Sequence, residues 1–358
     1  MILRIEKKAL LRALTRVQGA IGMNTNIPIT DHVKIEITES TAHFTTTDLH
    51  VTVSAFETGI TGEGAAALPY KMLLDTVKLL PDELLTMRAT DAKAEIEAST
   101  GKYKFVASPA DDFPRFEFEA QGDALVNSAL LAEAITACLP FASNDELRPQ
   151  MCGLCFKSKD GYTEVAATDA HRLAVVKLPV ANINFTLPKK AAGIVPGLLN
   201  DEVTQFTYND RQAQFAGQGW SMTATLVEGR FPDYGAVIPK ESDKALLIDR
   251  KALTDALKRI SVYSNKTTNG VVLTAGADGV TVTAADTDMG NEAKEDFPAL
   301  LWKYEGAPIR IGFNGRYALE VLGALKGEKA RFQMSTPARA VTIPDDENLF
   351  LLMPIMTE

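Results

Sequence analysis

Apolar and polar residues follow two different periods in the first third of the chain. In residues 6–21 the apolar side chains, among them Leu10 and Leu14, return at helical spacing, which predicts an amphipathic helix. A second stretch of this kind covers residues 71–80. Alternating runs such as residues 33–37 predict strands. The order of helix, strands, helix and strands is typical of an α+β unit with helices on one side of an antiparallel sheet.

The same order returns twice more along the chain. An aspartate closes an alternating run at intervals of about 120 residues, at Asp48, Asp169 and Asp286. Periods of this length exceed those of solenoid repeats, so each copy should be a complete domain. We therefore predict three topologically similar domains, at residues 1–120, 121–242 and 243–358. Such a chain is expected to build an object with approximate internal symmetry rather than a single catalytic cleft.

Basic residues lie opposite the apolar stripes of the predicted helices in the first and third copies. Lys8, Arg12 and Arg16 follow one another at i,i+4 spacing. The middle copy differs, because its first helix at residues 127–139 contains no lysine or arginine, and Pro196 is expected to kink its second helix or end it early. A basic helix side is most often a solvated surface. Its recurrence in an acidic protein favours an anionic partner.

The composition narrows the class of protein. The 358 residues are 46% hydrophobic, enough for two or three cores of ordinary size. The net charge of -9 argues against a uniformly basic nucleic-acid binder, so a phosphate-binding surface would have to be local. No apolar run approaches the roughly 18 residues of a membrane span, and Met1 leads directly into a strand pattern. These features predict a cytoplasmic protein.

The three cysteines are Cys138, Cys152 and Cys155, an odd number that argues against a disulfide framework. Cys152 and Cys155 have the C-x-x-C spacing of thiol oxidoreductases. Those enzymes place the first cysteine at a helix N-terminus, whereas the residues from Met151 onward predict a strand here. A zinc site would need a second pair of Cys or His at matching spacing, and the sequence has none.

A hydrolase that uses Thr168, Asp169 and His171 is the other enzymatic alternative. These positions are nearly adjacent in a strand pattern and cannot easily converge into a relay, and neither a nucleophile elbow nor a phosphate loop is present. We therefore predict no catalytic residues, no metal and no cofactor.

Several segments resemble the signatures of one protein family. The longest are residues 165–174, VAATDAHRLA, and residues 226–234, LVEGRFPDY. Shorter ones are Glu146-Leu147-Arg148-Pro149, Ile311-Gly312-Phe313-Asn314, Leu351-Leu352-Met353-Pro354 and, in the first third, Asp112-Phe113-Pro114. Together they resemble the bacterial sliding clamp family, the beta subunit of the replicative DNA polymerase III holoenzyme.

The resemblance implies a DNA clamp fold and a non-catalytic processivity factor. Its members are head-to-tail homodimers whose domains close into a ring around duplex DNA, with helices lining the hole and antiparallel sheets outside. Attraction to the phosphates would be independent of base sequence, and the protein would lie in the cytoplasm with the nucleoid. The cations expected to line the DNA are Lys8, Arg12, Arg16, Lys71, Lys78, Arg148, Lys189, Lys190, Lys251, Lys258 and Arg316.

The resemblance also implies a peptide-binding groove between the second and third domains. It would receive short linear motifs from the replicative polymerase, the clamp loader and repair proteins. This chain departs from the family pattern at Ala170, Thr268 and Ala340, which affects the shape of the groove. The expected groove residues are Met151, Thr168, Ala170, His171, Arg172, Leu173, Pro232, Val237, Asn314, Tyr317, Leu351, Leu352, Met353, Pro354 and Ile355.

Overall fold

The computed structural model describes residues 1–22, 27–116 and 118–356. Each of the three copies contributes two helices within these ranges. The helices are α1 Lys7–Val17, α2 Tyr70–Leu79, α3 Ser128–Cys138, α4 Lys189–Leu198, α5 Arg250–Ile260 and α6 Gly315–Ala324. In the described part of the chain, no helix is long and apolar enough to cross a membrane.

The strands follow the predicted order around the helices. In the first copy they are β1 Ile2–Glu6, β2 His32–Thr38, β3 Thr41–Thr47, β4 Val51–Thr58, β5 Thr61–Pro69, β6 Leu84–Ala89, β7 Lys93–Ala98 and β8 Gly101–Val106. In the middle copy they are β9 Gly122–Asn127, β10 Gly153–Lys159, β11 Tyr162–Thr168, β12 Arg172–Leu178, β13 Asn184–Pro188, β14 Val203–Tyr208, β15 Gln212–Gly217 and β16 Trp220–Thr225. In the last copy they are β17 Lys244–Asp249, β18 Gly270–Gly276, β19 Gly279–Asp286, β20 Asn291–Asp296, β21 Trp302–Glu305, β22 Ile309–Asn314, β23 Lys329–Met334, β24 Val341–Asp345 and β25 Asn348–Leu352.

The chain forms two compact units, one of residues 1–132 with 190–226 and one of residues 133–189 with 227–358. The first unit holds a sheet of strand order β8-β7-β6-β1-β5-β2-β3-β4-β16-β15-β14-β9. The second holds the orders β13-β10-β11-β12-β25-β24-β23-β17-β21 and β20-β19-β18-β22. The α+β class with antiparallel sheets is confirmed.

In both units a strand of one copy pairs with the last strand of the next copy. In the first unit β4 of the first copy pairs antiparallel with β16, so that Val53 lies opposite Met222. In the second unit β12 of the middle copy pairs with β25, and Leu173 lies opposite Leu351. The second of these junctions brings the segment 165–174 and the C-terminal motif together, as the expected groove requires.

The helices pack as the sequence patterns predict. Leu10, Leu14 and Val17 of α1 are buried, and α1 packs on β3 and β4 and beside α2, while α5 packs on β19 and beside α6. The expectation that Pro196 ends its helix early was wrong. With 10 residues, α4 is as long as α2 and α6. Pro196 lies in the last turn, where its missing N–H removes only one helical hydrogen bond.

Candidate functional site

The turn after β11 is fixed by its own side chains. Oδ1 of Asp169 accepts hydrogen bonds from the backbone N–H groups of His171, at 2.9 Å, and of Arg172, at 3.0 Å. The Thr168 hydroxyl accepts one from the N–H of Ala170, at 3.2 Å, and donates to the carbonyl of Arg172, at 2.7 Å. Ala170 has a φ of 74°, a left-handed conformation that favours glycine. Aspartate and threonine thus act here as turn-forming residues.

The turn delivers Arg172 to a buried position with several partners. Its side chain is 8% exposed, and Nε donates to Oδ2 of Asp169 at 3.0 Å. Nη2 donates to the carbonyl of Pro140 at 2.8 Å, and Nη1 donates to the Glu320 carboxylate. The guanidinium carbon lies 4.3 Å from the centre of the Tyr317 ring, a cation–π contact. Two carboxylates therefore compensate the charge of Arg172.

The last strand closes the other side of this site. The Met353 N–H donates to the carbonyl of His171 at 2.8 Å, and the Ile355 N–H donates to the carbonyl of Gly312 at 2.9 Å. Leu351 lines the cavity described below, whereas Leu352, its neighbour in β25, does not, because successive side chains of a strand point to opposite faces. The C-terminal segment is thus bound to the turn after β11.

These elements surround a cavity of about 210 Å³ in the second unit. Its walls are mainly aliphatic, and most of the expected groove residues contribute to them. The lining residues are Met151, Thr168, Ala170, Arg172, Leu173, Pro232, Asp233, Tyr234, Val237, Leu351 and Met353. Ala340 belongs to the apolar cluster that also contains Leu173 and Leu351.

Other expected groove residues lie around the cavity rather than in its wall. The ring of His171 stacks on that of Tyr317, with centres 5.9 Å apart, and Tyr317 also contacts Arg172. Asn314 caps α6, because its side-chain oxygen accepts hydrogen bonds from the N–H groups of Arg316, at 3.0 Å, and Tyr317, at 3.3 Å. The remaining expected residues outside the wall are Leu352, Pro354 and Ile355.

Sequence reasoning missed two wall residues, Asp233 and Tyr234. The hydroxyl of Tyr234 donates to the Glu164 carboxylate at 2.6 Å, and its ring meets Phe231 edge-on with centres 6.2 Å apart. Burial and the neighbouring Glu164 raise the pKa of Tyr234, so it remains a neutral donor. Both residues directly follow the Phe231-Pro232 pair, and that pair was the sequence feature that could have indicated them as wall residues.

The C-x-x-C pair does not begin a helix as the pairs of thiol oxidoreductases do. Cys152 directly precedes β10 and Cys155 lies within it, and burial raises the pKa of Cys155 to about 11. A neutral, buried thiol is a poor nucleophile. Met151 was expected in a strand but lies in the 3₁₀ turn Pro149–Met151, because Pro149 starts a turn there. Within the described residues, no three His, Cys, Asp or Glu side chains are grouped to hold a metal.

Several of the expected DNA-lining cations of α1 are already bound within the chain. Nζ of Lys8 lies 2.5 Å from Asp82. Nε of Arg12 donates at 2.9 Å to Glu57, and an Nη atom of Arg16 donates to the carbonyl of Gly219 at 3.2 Å. Lys71 and Lys78 are exposed on α2, and among the described residues no carboxylate lies within ion-pair distance of either.

The remaining expected cations also include both bound and exposed side chains. Lys189 is half-buried and donates to the carbonyl of Ala142 at 2.7 Å and to Asn144 at 2.8 Å, and burial followed by nearby Arg172 lowers its pKa. Ion pairs join Arg148 to Asp145, Lys190 to Asp48 and Lys251 to Asp255. Lys258 and Arg316 are exposed. Lys189 therefore stabilises the local structure and contributes little charge to the exposed surface.

Three family models match the chain in succession. They describe the DNA polymerase III beta subunit: its N-terminal domain at residues 1–117, its central domain at residues 125–233 and its C-terminal domain at residues 235–356. The chain belongs to the bacterial beta sliding clamp family. Family membership makes it a DNA sliding clamp, a non-catalytic processivity subunit of DNA polymerase III. The predicted function is thus confirmed, and so are the predicted partner classes at the level of the family.

Relatives of this clamp cover its full length. It is 28% identical over 98% of both chains to the beta sliding clamp of Vibrio cholerae and 29% identical over 96% of both to that of Synechococcus elongatus. A solved clamp from Pseudomonas aeruginosa is similar at 25% identity with a TM-score of 0.93, covering 100% of both chains. The C. crescentus clamp is similar at 26% identity with a TM-score of 0.92, covering 100% of this chain and 99% of that one.

Proposed function

We propose that the cavity beside Arg172 is the groove through which this clamp binds short linear motifs of polymerases, the clamp loader and repair proteins. The observation that carries the proposal is the meeting of the turn after β11, the segment after Phe231 and the C-terminal segment around one apolar cavity. Met151 and Met353 give that cavity adaptable walls, and the fixed polar groups of Thr168 and Arg172 orient a ligand.

The size of the cavity supports one apolar anchor per motif. A volume of about 210 Å³ lies below the 300–1,000 Å³ of pockets that enclose drug-sized ligands, so an extended peptide would bury one large side chain and leave the rest on the rim. A solved C. crescentus clamp binds polyethylene glycol at a region proposed to tether a beta motif.

Met353→Ala tests the groove by fluorescence anisotropy with a labelled peptide that carries the clamp-binding motif. Loss of apolar contact in the cavity is expected to weaken binding about tenfold or more. Met289→Ala is the matched control, since Met289 is 75% exposed and does not line the cavity. If both variants bound the peptide as tightly as the unchanged protein, the groove assignment would fall.

We also propose that two protein chains close a ring, in which β8 of one chain pairs with β20 of the other. Both strands are at the edges of their sheets, and unpaired edges invite a partner strand. Exposed Lys102 and Lys104 give β8 a positive charge that it shares with Glu95 and Glu97 of β7, whereas β20, with sequence NEAKED, is acidic. The first copy of each chain then meets the last copy of the other chain. A head-to-tail dimer therefore leaves neither β8 nor β20 as an exposed edge.

Charge reversal tests this interface by native mass. The double change Lys102→Glu with Lys104→Glu is expected to convert a particle of about twice 38.8 kDa into a monomer at micromolar concentration. Mixing it with a variant carrying Glu292→Lys and Asp296→Lys should restore the dimer mass, because one interface then has swapped charges and the other has the original ones. A native protein that is itself monomeric would contradict the ring.

Within such a ring, the expected cations other than Lys189 are proposed to face the duplex. Each would add little affinity, so closure of the ring rather than tight binding would keep the clamp on DNA. We place the three domains at residues 1–120, 121–242 and 243–358, and the protein in the cytoplasm with the nucleoid. These assignments rest on the helix patterns and on family membership.

A further inference from the structure

The charge of the groove depends on two wall residues. Among the described residues that line the cavity, Arg172 and Asp233 carry a formal charge at neutral pH. Arg172 is 8% exposed and bound by the carboxylates of Asp169 and Glu320. Its positive charge is therefore compensated inside the protein before a ligand arrives.

Asp233 is in a different situation. It is exposed, and its carboxylate accepts one hydrogen bond, at 3.3 Å, from the N–H of Gly235. The next three residues are Tyr234, Gly235 and Ala236, none of which is a cation. The carboxylate thus stands at the cavity wall with a backbone partner, while Arg172, the cation among the described lining residues, is already paired with Asp169 and Glu320.

We propose that Asp233 makes this clamp prefer peptides that carry a cationic side chain next to the apolar anchor. The anchor enters the aliphatic cavity, and a neighbouring lysine or arginine reaches the Asp233 carboxylate at its mouth. A neighbouring glutamate meets the same carboxylate with like charge, which weakens binding and discriminates between partners. The inference rests on the proposed groove and adds the chemistry of the partner.

The test compares three synthetic heptapeptides that differ at one position, with Lys, Gln or Glu beside the same leucine anchor. At low ionic strength the Lys peptide is expected to bind about fivefold more tightly than the Glu peptide, and added salt should narrow the difference. Asp233→Asn keeps an acceptor for the Gly235 N–H and should bring the ratio of the Kd values of the Glu and Lys peptides to about one. Asp278→Asn, an exposed carboxylate between β18 and β19, is the matched control and should preserve the discrimination.

Three outcomes would overturn the inference in distinguishable ways. Equal Kd values for the three peptides on the unchanged protein would remove the charge preference and leave the groove in place. Failure of all three peptides to bind would remove the groove and the inference together. Discrimination that survives in Asp233→Asn would assign it to another residue.

Discussion

The turn after β3 and the turn after β11 have the same local design in two different copies. Oδ1 of Asp48 accepts from the N–H groups of His50, at 2.9 Å, and Val51, at 2.6 Å, as Asp169 does in the middle copy. The residue after each aspartate has a left-handed backbone, with φ of 79° at Leu49 and 74° at Ala170. The repeated Thr-Asp sequence therefore encodes a turn, and a turn alone does not make a site.

The two turns differ in the residue that they deliver. The first ends in Val51, which is 2% exposed and packs in the core, and its aspartate binds Lys190 of α4. The second ends in Arg172, whose guanidinium ties the turn to Glu320 and Tyr317 of α6. The second turn thus contributes the side chain of Arg172 to the wall of the cavity, whereas the first turn contributes a core residue.

The largest expected difference between the turns follows from removal of their cations. The two aspartates are similarly shielded, at 13% exposure for Asp169 and 12% for Asp48, so the contrast comes from the cations. Arg172→Met removes a guanidinium that is 8% exposed and also binds Glu320 and the Pro140 carbonyl, and should reduce the free energy of unfolding by about 3 kcal/mol. Lys190→Met removes an ammonium group whose side chain is 54% exposed and should cost about 1 kcal/mol. Urea unfolding followed by circular dichroism measures both. Equal losses at the two turns would contradict the comparison.

The salt dependence of DNA affinity should distinguish cations that are bound within the chain from cations that are exposed and unpaired. The double change Lys71→Ala with Lys78→Ala removes two exposed charges from α2, in the unit of the first turn, and should lower the salt slope of DNA affinity by up to about 2. Lys189→Ala, beside the second turn, should leave the slope unchanged because its amino group is held by Ala142 and Asn144. Affinity for nicked circular DNA, measured over a salt series, provides the readout. A slope that changed only in Lys189→Ala would reverse the assignment.

The sequence predicted the repeated elements because their signals are local. Helical stripes such as Leu10 and Leu14, and the alternation at residues 33–37, depend on neighbours within one element. The places of Asp233 and Tyr234 could not be predicted in this way, because the cavity forms only when β12 pairs with β25. The ion pairs of Arg12 and Lys190 likewise join residues distant in sequence. The helical pattern could not show these partners, and it therefore overestimated the number of unpaired cations.

The smallest expected effect concerns the left-handed residue that the two turns share. Ala170→Gly and Leu49→Gly should each raise the free energy of unfolding by about 1 kcal/mol or less, since glycine adopts this backbone without steric strain. Ala132→Gly, at a partly exposed position inside α3, should instead lower it by about 1 kcal/mol. Only Ala170→Gly should also change the Kd of the groove peptide, because Ala170 lines the cavity. Destabilisation by both turn variants would show that these side chains contribute contacts that outweigh the backbone strain, and the shared turn would then be a packing feature of each junction.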